Sequence, residues 1–319
     1  MIKQLNKYQS YFTSHILLYH STFSRIPADL KQSLHNVTPD VMYEQIKWIK
    51  QYFDVVDVDD LFSKNDDITG KVAITFDDAY QSVFTEAIPV IESLRVPCTI
   101  YVNGISLSGK PFWRDLIRFL INNKMIDDFL QFHSAFCSKN NITATNFYRA
   151  TKKPSVNSMV MSDMIDDYLE SNEITLDDLS YCVTDKNAIV KNSLVSYGNH
   201  TYSHYVLSSL NQDQQEAEIK RNDDLLSQCD VKLSKVFSVP FGGDKDFNTT
   251  TIELLAKHNY KGFLYSRNIL NIKGRDETYR VGGSTIISRE RYMASDEFSS
   301  FQKKIFKLGI KGIVKAIRE

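Results

Sequence analysis

Two adjacent carboxylates, Asp77 and Asp78, follow the short apolar segment Lys71–Phe76, which is rich in β-branched residues. This segment has the pattern of a buried strand, so both acidic side chains should stand where a strand ends. Neighbouring carboxylates repel each other and resist burial, and a cation beside them relieves both costs. The alternative is that one of the aspartates only caps a helix that begins near Tyr80.

A second strand-like run, residues 194–197, leads through a turn to His200 and His204. If this turn enters a helix, the spacing places both imidazoles on one face, close enough to share an ion. Histidines on polar loops are also common without any metal. With Asp77 and Asp78, however, they supply two imidazoles and one carboxylate and leave the second carboxylate free. Such a set leaves coordination positions open for water and substrate, as a catalytic metal requires.

Two segments resemble, in the same order, the first two motifs of the polysaccharide deacetylases, the NodB-homology domain of carbohydrate esterase family 4. They are ITFDDAY at residues 74–80 and HTYSH at residues 200–204. A third segment, FSVPFGG at residues 237–243, is similar to the proline-glycine loop of the third motif. The resemblance extends from about residue 15 to residue 287, with an interruption in the middle. It implies an α/β fold, a distorted (β/α) barrel of the NodB type.

The elements around these motifs fit a parallel barrel. The apolar run at residues 16–19 is expected to be the first strand, and it ends at His20. Functional residues of such barrels gather at the C-terminal ends of the strands, so His20 should face the same mouth as Asp77 and His200. Strand and helix patterns alternate up to residue 102, which indicates an α/β architecture.

The alternation breaks after Pro111, where several short helical patterns follow one another. We therefore predict a first barrel part at residues 1–110, a helical insertion at 111–191, a second barrel part at 192–300 and a C-terminal helix at 301–319. The insertion would leave the barrel at the C-terminal side of the third strand. We expect it to overhang the site as a lid or as an element that recognises the acceptor.

The resemblance also implies a role for each motif residue. Asp78, His200 and His204 would hold one divalent metal, with Zn²⁺ as the expected ion, and Asp77 would be the general base. The backbone N–H of Tyr80 would stabilise the oxyanion.

The general acid departs from the usual family pattern, because the late leucine-histidine motif is missing. The last histidine, His258, lies in a helix pattern and is interpreted as structural. Some family members resemble a circular permutation in which the acid histidine comes from the first strand. His20 fits that version and is the predicted acid, with a hydrogen bond into the barrel rim as the alternative role.

A second departure concerns the third motif, where the family commonly has an arginine that braces the catalytic aspartate. This chain has Ser238 at that place, and Arg280 on a predicted late strand could replace the arginine from elsewhere. The residues expected to contact the substrate are Pro240, Phe241, Gly242 and Arg280.

Length and composition agree with one large domain that carries an insert. The chain has 319 residues, of which 42% are hydrophobic, so a sizeable core can form. The net charge of −1 gives no electrostatic reason to expect nucleic acid. The N-terminus is too polar for a secretory signal or an anchor, and the four cysteines form no C-x-x-C pair. We therefore expect a cytoplasmic protein with reduced thiols.

Residues 301–319 combine one apolar face with many lysines, which is typical of a basic amphipathic helix. Such a helix can lie on anionic lipid, so a peripheral contact with the inner face of the membrane is one expectation. The alternative is a terminal helix that packs on the barrel. If the lipid contact forms, the substrate could be a lipid-linked saccharide.

The function expected from these residues is metal-dependent hydrolysis. The enzyme would remove an N-acetyl group from an amino sugar of a polysaccharide or of a lipid-linked saccharide precursor. An N-deformylase acting on a sugar and a catalytically silent saccharide-binding barrel are the alternatives.

Overall fold

The computed structural model describes residues 10–63, 67–176, 181–183 and 189–317, and it describes side chains as far as residue 314. Its strands are β1 (Thr13–Tyr19), β2 (Asp54–Val56), β3 (Lys71–Phe76), β4 (Cys98–Val102), β5 (Val195–Asn199), β6 (Val236–Ser238), β7 (Gly262–Leu264), β8 (Asn271–Ile272), β9 (Glu277–Val281), β10 (Ser284–Arg289) and β11 (Tyr292–Met293). Its α-helices are α1 (Pro39–Ile49), α2 (Ile88–Leu94), α3 (Trp113–Asn122), α4 (Ile126–Phe132), α5 (Ser134–Lys139), α6 (Phe147–Ala150), α7 (Ser158–Ser171), α8 (Gln212–Ser227), α9 (Thr249–Lys257) and α10 (Phe298–Ile317).

The parallel strands of the larger sheet end at a common edge. Their order is β11-β1-β3-β4-β5, while β2 pairs with the first half of β3 and β8 pairs antiparallel with β1. Tyr19 at the end of β1 lies opposite Phe76 at the end of β3, and Val102 at the end of β4 lies opposite Asn199 at the end of β5. The residues that follow these strands therefore leave the sheet at the same side.

A smaller sheet has the order β6-β7-β10-β9. Strands β6, β7 and β10 are parallel, and β9 joins β10 in an antiparallel hairpin. The hairpin turn consists of Gly282 and Gly283, which both have a positive φ (52° and 83°), as this two-residue turn requires. A bridge between Tyr197 and Leu233 links the larger sheet to the segment before β6.

The predicted α/β class is confirmed, because parallel strands alternate with helices that cover them. Helices α1 and α2 pack on the larger sheet, where Ile46 and Ile91 join a cluster with Leu17 and Ile74. The sequence patterns missed β8 and β11. Each has only two residues, which is too short to show a strand periodicity.

The region after Pro111 is helical, as predicted, and contains α3 to α7. Its buried residues, such as Ile117 and Ile165, share one hydrophobic cluster with Phe237 and Phe263 of the smaller sheet. The insertion therefore packs on the second part of the fold. Residues 177–180 and 184–188 of the predicted insertion lie outside the described part, and the predicted domain boundaries stay predictions.

Helix α10 packs on the larger sheet through Phe301 and Ile305, which are fully buried. Lys303, Lys307 and Lys311 are exposed. This arrangement agrees with the alternative of a terminal helix that packs on the barrel, while residues 318–319 of the predicted tail lie outside the described part. Among the described helices, including the 20-residue α10, none combines the length and the apolar character needed to span a bilayer.

Candidate active site

A pocket of about 270 Å³ opens at the edge where β1, β3 and β5 end. Such a volume is near the lower end of ordinary ligand pockets and suits one small group, such as a single sugar ring. Six of the predicted site residues line it, namely His20, Asp77, Asp78, His200, His204 and Phe241. Residues far apart in the chain thus meet at the edge that the strand register defines.

Asp78, His200 and His204 each offer one ligand atom, and these atoms lie within 4.8 Å of one another. Nε2 of His200 is 3.5 Å and Nε2 of His204 is 3.4 Å from Oδ1 of Asp78. Ligand atoms about 2.0–2.1 Å from a tetrahedral zinc are roughly 3.4 Å apart, so the observed spacing fits. Oδ1 of Asp78 is also buried without a hydrogen-bond partner among the described residues. The three residues therefore fit a divalent metal.

The protonation of the two histidines is set by their surroundings. Burial lowers the pKa of His204 to about 3, so this imidazole is neutral. Burial also lowers the pKa of His200, but Asp77 and Asp78 outweigh this effect and raise it. Nδ1 of His200 donates to the carbonyl of Ser238 at 2.8 Å, which leaves Nε2 beside Asp78 as the available ligand atom.

The two histidines lie on an irregular loop, so the helix expected after Asn199 is not formed. The N–H of Thr201 donates to Oδ1 of Asn199 at 2.7 Å, and the N–H of His204 donates to Oγ1 of Thr201 at 3.0 Å. These side chains satisfy the backbone groups that a helix would otherwise have used. The expectation of a shared helical face is wrong, although the two imidazoles do meet.

Several residues around the pocket have left-handed backbone conformations that side chains disfavour. Asp78 (φ 73°), Thr201 (φ 63°), His204 (φ 59°) and Phe241 (φ 65°) all belong to this class. Each such residue costs of order 1–3 kcal/mol, and such conformations cluster at functional sites. Backbone strain is therefore present at the positions that orient these four side chains.

Asp77 is braced by Arg291, which directly precedes β11. Nη1 and Nη2 of Arg291 donate to the two carboxylate oxygens at 2.7 and 2.9 Å, and Ser238 Oγ donates at 3.1 Å. Burial alone would raise the pKa of Asp77, but Arg291 and His200 hold it below its ordinary value. Asp77 is therefore ionised and fixed in orientation.

The prediction that Arg280 reaches the mouth is wrong. Arg280 lies exposed on β9, opposite Thr285, and does not line the pocket. Its strand is the edge of the smaller sheet. The missing family arginine is replaced by Arg291, whose Nη2 also donates to Oγ of Ser238 at 2.9 Å. Ser238 is smaller than an arginine and leaves room for the guanidinium of Arg291, which comes from the segment between β10 and β11.

His20 follows β1 and belongs to a chain of hydrogen bonds. Nε2 of His35 lies 2.7 Å from the carbonyl of Ala294, which can only accept, so this nitrogen carries the hydrogen. Burial lowers the pKa of His35 to about 3, and its Nδ1 is therefore an acceptor. Nδ1 of His20 lies 3.0 Å from that atom and must donate. Nε2 of His20 is therefore the nitrogen that is available to a substrate, and the role of His20 as general acid stays a prediction.

The remaining predicted residues surround the pocket. Tyr80 does not line it, but its hydroxyl donates to Asp115 at 2.7 Å and accepts from Arg118 at 3.1 Å. The insertion thereby fixes the residue whose backbone N–H is expected to bind the oxyanion. Pro240 is buried and does not line the pocket. Gly242 (φ 67°) packs against Ser266 so closely that a Cβ would lie 2.6 Å from its hydroxyl.

The insertion supplies the opposite side of the pocket through Phe112, Arg114, Arg118, Tyr148 and Lys152. Helix α3 is also tied to the histidine loop, because the indole of Trp113 donates to the carbonyl of His204 at 2.9 Å. The expectation that this region overhangs the site agrees with its contribution to the lining.

Sequence reasoning missed Arg291, His35 and the basic residues of the insertion. Arg291 and Arg289 stand two positions apart beside a late strand, and this alternation was the available signal. His35 had no such signal, because it lies in a segment without regular structure.

A larger cavity of about 460 Å³ lies beside α10, away from the strand edge. Its main cation, Arg267, already pairs with Glu290 and with Asp244 at 2.6 Å. This cavity contains none of the predicted site residues. The strand-edge pocket is therefore the candidate active site.

A family model described as polysaccharide deacetylase matches residues 137–263. The matched stretch contains His200, His204 and the loop at 237–243, while Asp77 and Asp78 precede it. This match confirms the predicted resemblance to the polysaccharide deacetylases over that stretch. No curated protein matches the sequence.

Solved structures of polysaccharide deacetylases are similar to this chain in fold. The Streptococcus pyogenes deacetylase PplD in complex with acetate has a TM-score of 0.53 and 16% identity, covering 93% of this chain and 97% of that one. IcaB from Ammonifex degensii has a TM-score of 0.54 and 15% identity, covering 93% and 97%. The polysaccharide deacetylase BC0361 from Bacillus cereus has a TM-score of 0.50 and 14% identity, covering 92% and 69%. These likenesses confirm the predicted NodB-type α/β fold.

Proposed function

We propose that the chain is a metal-dependent hydrolase that removes an N-acetyl group from an amino sugar of a polysaccharide or of a saccharide precursor. The match of residues 137–263 to the polysaccharide deacetylase family model supports a deacetylase. The observation that carries the proposal is the meeting of Asp78, His200 and His204 with Asp77 beside them. A divalent ion held there, for which the ligand set favours zinc, would act as a Lewis acid on the acyl oxygen and on water.

Asp77 is the proposed general base. Arg291 holds the pKa of its carboxyl below the ordinary value, so the group is ionised and able to accept a proton at neutral pH. It takes a proton from the water whose oxygen forms the new bond to the acyl carbon. The backbone N–H of Tyr80 donates to the oxygen that becomes negative in this step.

His20 is the proposed general acid. Burial lowers the pKa of His20 and its Nδ1 carries the hydrogen, so Nε2 must first be protonated, and the proton that Asp77 removes from the water can supply it. As the amide C–N bond breaks, the nitrogen takes this proton from Nε2 of His20, and the products are acetate and a free amine. The hydrogen bond between His20 and His35 supports this role, because it directs the other nitrogen of His20 to the reaction. Phe241, which packs on His204 with ring centroids 4.7 Å apart, would contact the sugar.

Acetyl is the proposed acyl group. The Streptococcus pyogenes deacetylase of similar fold was solved in complex with acetate. A deformylase would release formate at the same residues, and a silent saccharide-binding protein would release neither acid.

The test is to measure metal content and acid release together. The purified protein is treated with a chelator, reloaded with Zn²⁺ or another divalent ion, and incubated with N-acetylated amino-sugar oligomers. We expect stoichiometric metal, acetate release only after reloading, and an Asp230→Asn control, at a residue that is 95% exposed, equal to wild type. Formate release from N-formyl sugars alone would identify the deformylase. Saccharide binding without any acid release would overturn the proposal.

A cytoplasmic location, a lipid-linked substrate and membrane contact through α10 stay predictions. Liposome flotation can test the last of these with Lys303→Gln, Lys307→Gln and Lys311→Gln combined. These side chains are exposed, so the variant should keep the helix packed. Equal flotation of variant and wild type would contradict an electrostatic membrane contact.

A further inference from the structure

The insertion side of the pocket contains an arginine that is buried without an anionic partner. Arg114 is 1% exposed and lines the pocket. Its two Nη atoms donate to Oγ1 of Thr151 and to the carbonyl of Tyr148, both at 2.9 Å. Nε has no partner among the described residues, and no described carboxylate forms an ion pair with this guanidinium. A buried charge in this state is costly unless an anion accompanies it.

Lys152 adds a second cation to the same side. It is half-buried, lines the pocket and lies with Nζ 5.1 Å from the ring centre of Phe241. In the described part of the chain, no carboxylate forms an ion pair with it. Burial lowers the pKa of Lys152, and the neighbouring Arg114 lowers it further, as expected for cations held close together.

Two described carboxylates lie near these charges without forming an ion pair with Arg114 or Lys152. Asp115 pairs with Arg118 at 2.6 Å, and Asp246, which raises the pKa of Lys152, accepts the N–H of Gly243 at 2.8 Å. Although burial raises the pKa of the Tyr148 phenol, Arg118 and Arg114 outweigh this effect and lower it. Across the pocket, Asp77 is already neutralised by Arg291, and Asp78 belongs to the metal ligands. The insertion side therefore has more positive than negative charge among the described residues, and no described carboxylate forms an ion pair with Arg114 or Lys152.

We propose that the substrate is an anionic amino sugar, whose phosphate or carboxylate group binds Arg114 and Lys152 while its N-acetyl group lies at Asp77 and Asp78. This inference rests on the proposed function. A guanidinium presents a planar fork that matches either group, and the adjacent ammonium adds a point charge. The aromatic ring of Phe241 lies between the two parts of the site, because it contacts both His204 and Lys152. A sugar ring resting there would connect the acetamido group to the anion.

The experiment compares three sugars on the metal-loaded protein. They are N-acetylglucosamine 1-phosphate, N-acetylglucosaminuronic acid and neutral methyl N-acetylglucosaminide. We expect a higher kcat/KM on an anionic sugar, and this preference should weaken as salt is added. The phosphate and carboxylate arms identify which anion the site prefers. Equal kcat/KM on charged and neutral sugars would overturn the proposal.

Lys152→Gln is the main variant, because its half-buried side chain should be replaceable without unfolding. It should lose roughly tenfold in kcat/KM on the preferred anionic sugar, mainly through KM, as expected for one charge-assisted contact. The loss on the neutral sugar should be several times smaller. Lys153→Gln is the matched control, because its side chain is exposed, directly follows Lys152 in the chain and does not line the pocket. Equal losses on charged and neutral sugars would show that Lys152 acts on the chemistry, which contradicts the proposal.

Calorimetric titration with the same sugars separates this inference from the proposed function. Tighter binding of the anionic sugar than of the neutral one, reduced in Lys152→Gln, supports the anion site even if no acetate is released. That result without turnover would count against the deacetylase alone. Acetate release with equal binding of the three sugars would count against the anion site alone.

Discussion

The two sides of the pocket differ in whether their charged side chains are paired within the protein. On the strand side, Asp77 has a bidentate arginine, and its orientation is fixed by three donors from Arg291 and Ser238. On the insertion side, Arg114 and Lys152 have no carboxylate partner among the described residues. Arg114 is as fully buried as Asp77, so the difference does not arise from exposure alone.

This difference separates residues that hold the reacting groups in place from residues that bind the substrate. Groups that must stay in place during a reaction benefit from partners within the protein, because orientation is then settled before the substrate arrives. A buried charge that lacks such a partner is stabilised most when a ligand of opposite charge binds beside it. The strand side is therefore interpreted as the chemical side and the insertion side as the selective one.

Removal of a metal ligand should have the largest effect on the strand side. Asp78→Asn keeps the shape of the side chain, and asparagine tolerates the left-handed conformation at this position (φ 73°). It removes the negative charge that faces both imidazoles, so we expect loss of stoichiometric metal and about a thousandfold lower kcat, beyond what an outer partner costs. Elemental analysis and acetate release measure the two quantities. A variant that keeps its metal and its turnover would contradict the proposal that the strand side carries out the reaction.

The sequence predicted the strand side well because its residues follow short, regular strands. Asp77 and Asp78 directly follow β3, and His20 directly follows β1, so strand patterns alone place them at one edge of the sheet. The register that aligns Tyr19 with Phe76 then brings them together. Local patterns were sufficient where the chain is periodic.

The sequence could not predict the partners that come from elsewhere in the chain. Arg291 lies 214 residues from Asp77, beside a strand of two residues, and the more regular strand of Arg280 was the wrong choice. Arg114 stands in a helix pattern, where a charged residue normally faces solvent, yet tertiary packing buries it. These contacts depend on how distant segments pack, and no local pattern records that.

The brace of Asp77 should have the next largest effect. Arg291→Lys keeps a positive charge but loses the fork that holds both carboxylate oxygens, so we expect kcat to fall by about a hundredfold. Because Arg291 holds the pKa of Asp77 below its ordinary value, the acidic limb of the pH profile should move to higher pH. Arg280→Lys, on the exposed edge strand, is the control and should resemble wild type. If Arg280→Lys were the impaired variant, the brace would be misassigned.

Lowering the pH should reduce the free energy of unfolding mainly through the strand side, because that side contains buried neutral histidines. His15 on β1 is fully buried, and burial lowers its pKa to about 3. Between this value and about 6.5, the unfolded chain binds a proton that the folded chain does not. The stability is therefore complete above pH 6.5 and falls as the pH decreases.

At pH 5 this loss from His15 amounts to about 2 kcal/mol. Urea unfolding of the metal-free protein at pH 7.5 and pH 5 measures it, with His15→Asn as the comparison. The variant will be less stable at both values, since Tyr292 loses its hydrogen bond to Nδ1 of residue 15, but its loss between them should be smaller by that amount. Equal losses in both proteins would show that His15 does not contribute to the acid response.

The smallest expected effect concerns His35, which acts on the reaction through His20. His35 accepts the Nδ1 hydrogen of His20 at 3.0 Å and thereby sets which nitrogen of His20 faces the pocket. His35→Phe removes this acceptor, and we expect about a tenfold lower kcat on amide substrates, the lower end of what the loss of such an outer hydrogen-bond partner costs. His35→Asn, whose side-chain oxygen can accept, should recover part of the rate.

A substrate that needs no acid distinguishes positioning from simple damage to the pocket. The 4-nitrophenolate group of 4-nitrophenyl acetate leaves without a proton, so its hydrolysis should be nearly unchanged in His35→Phe, whereas amide hydrolysis falls. Equal losses on ester and amide would mean that His35 only supports the fold. Because His35 also bonds to the carbonyl of Ala294, next to β11, that outcome would limit its role to holding this segment in place. The unequal outcome instead places His20 and His35 together as the proton-donating part of the strand side.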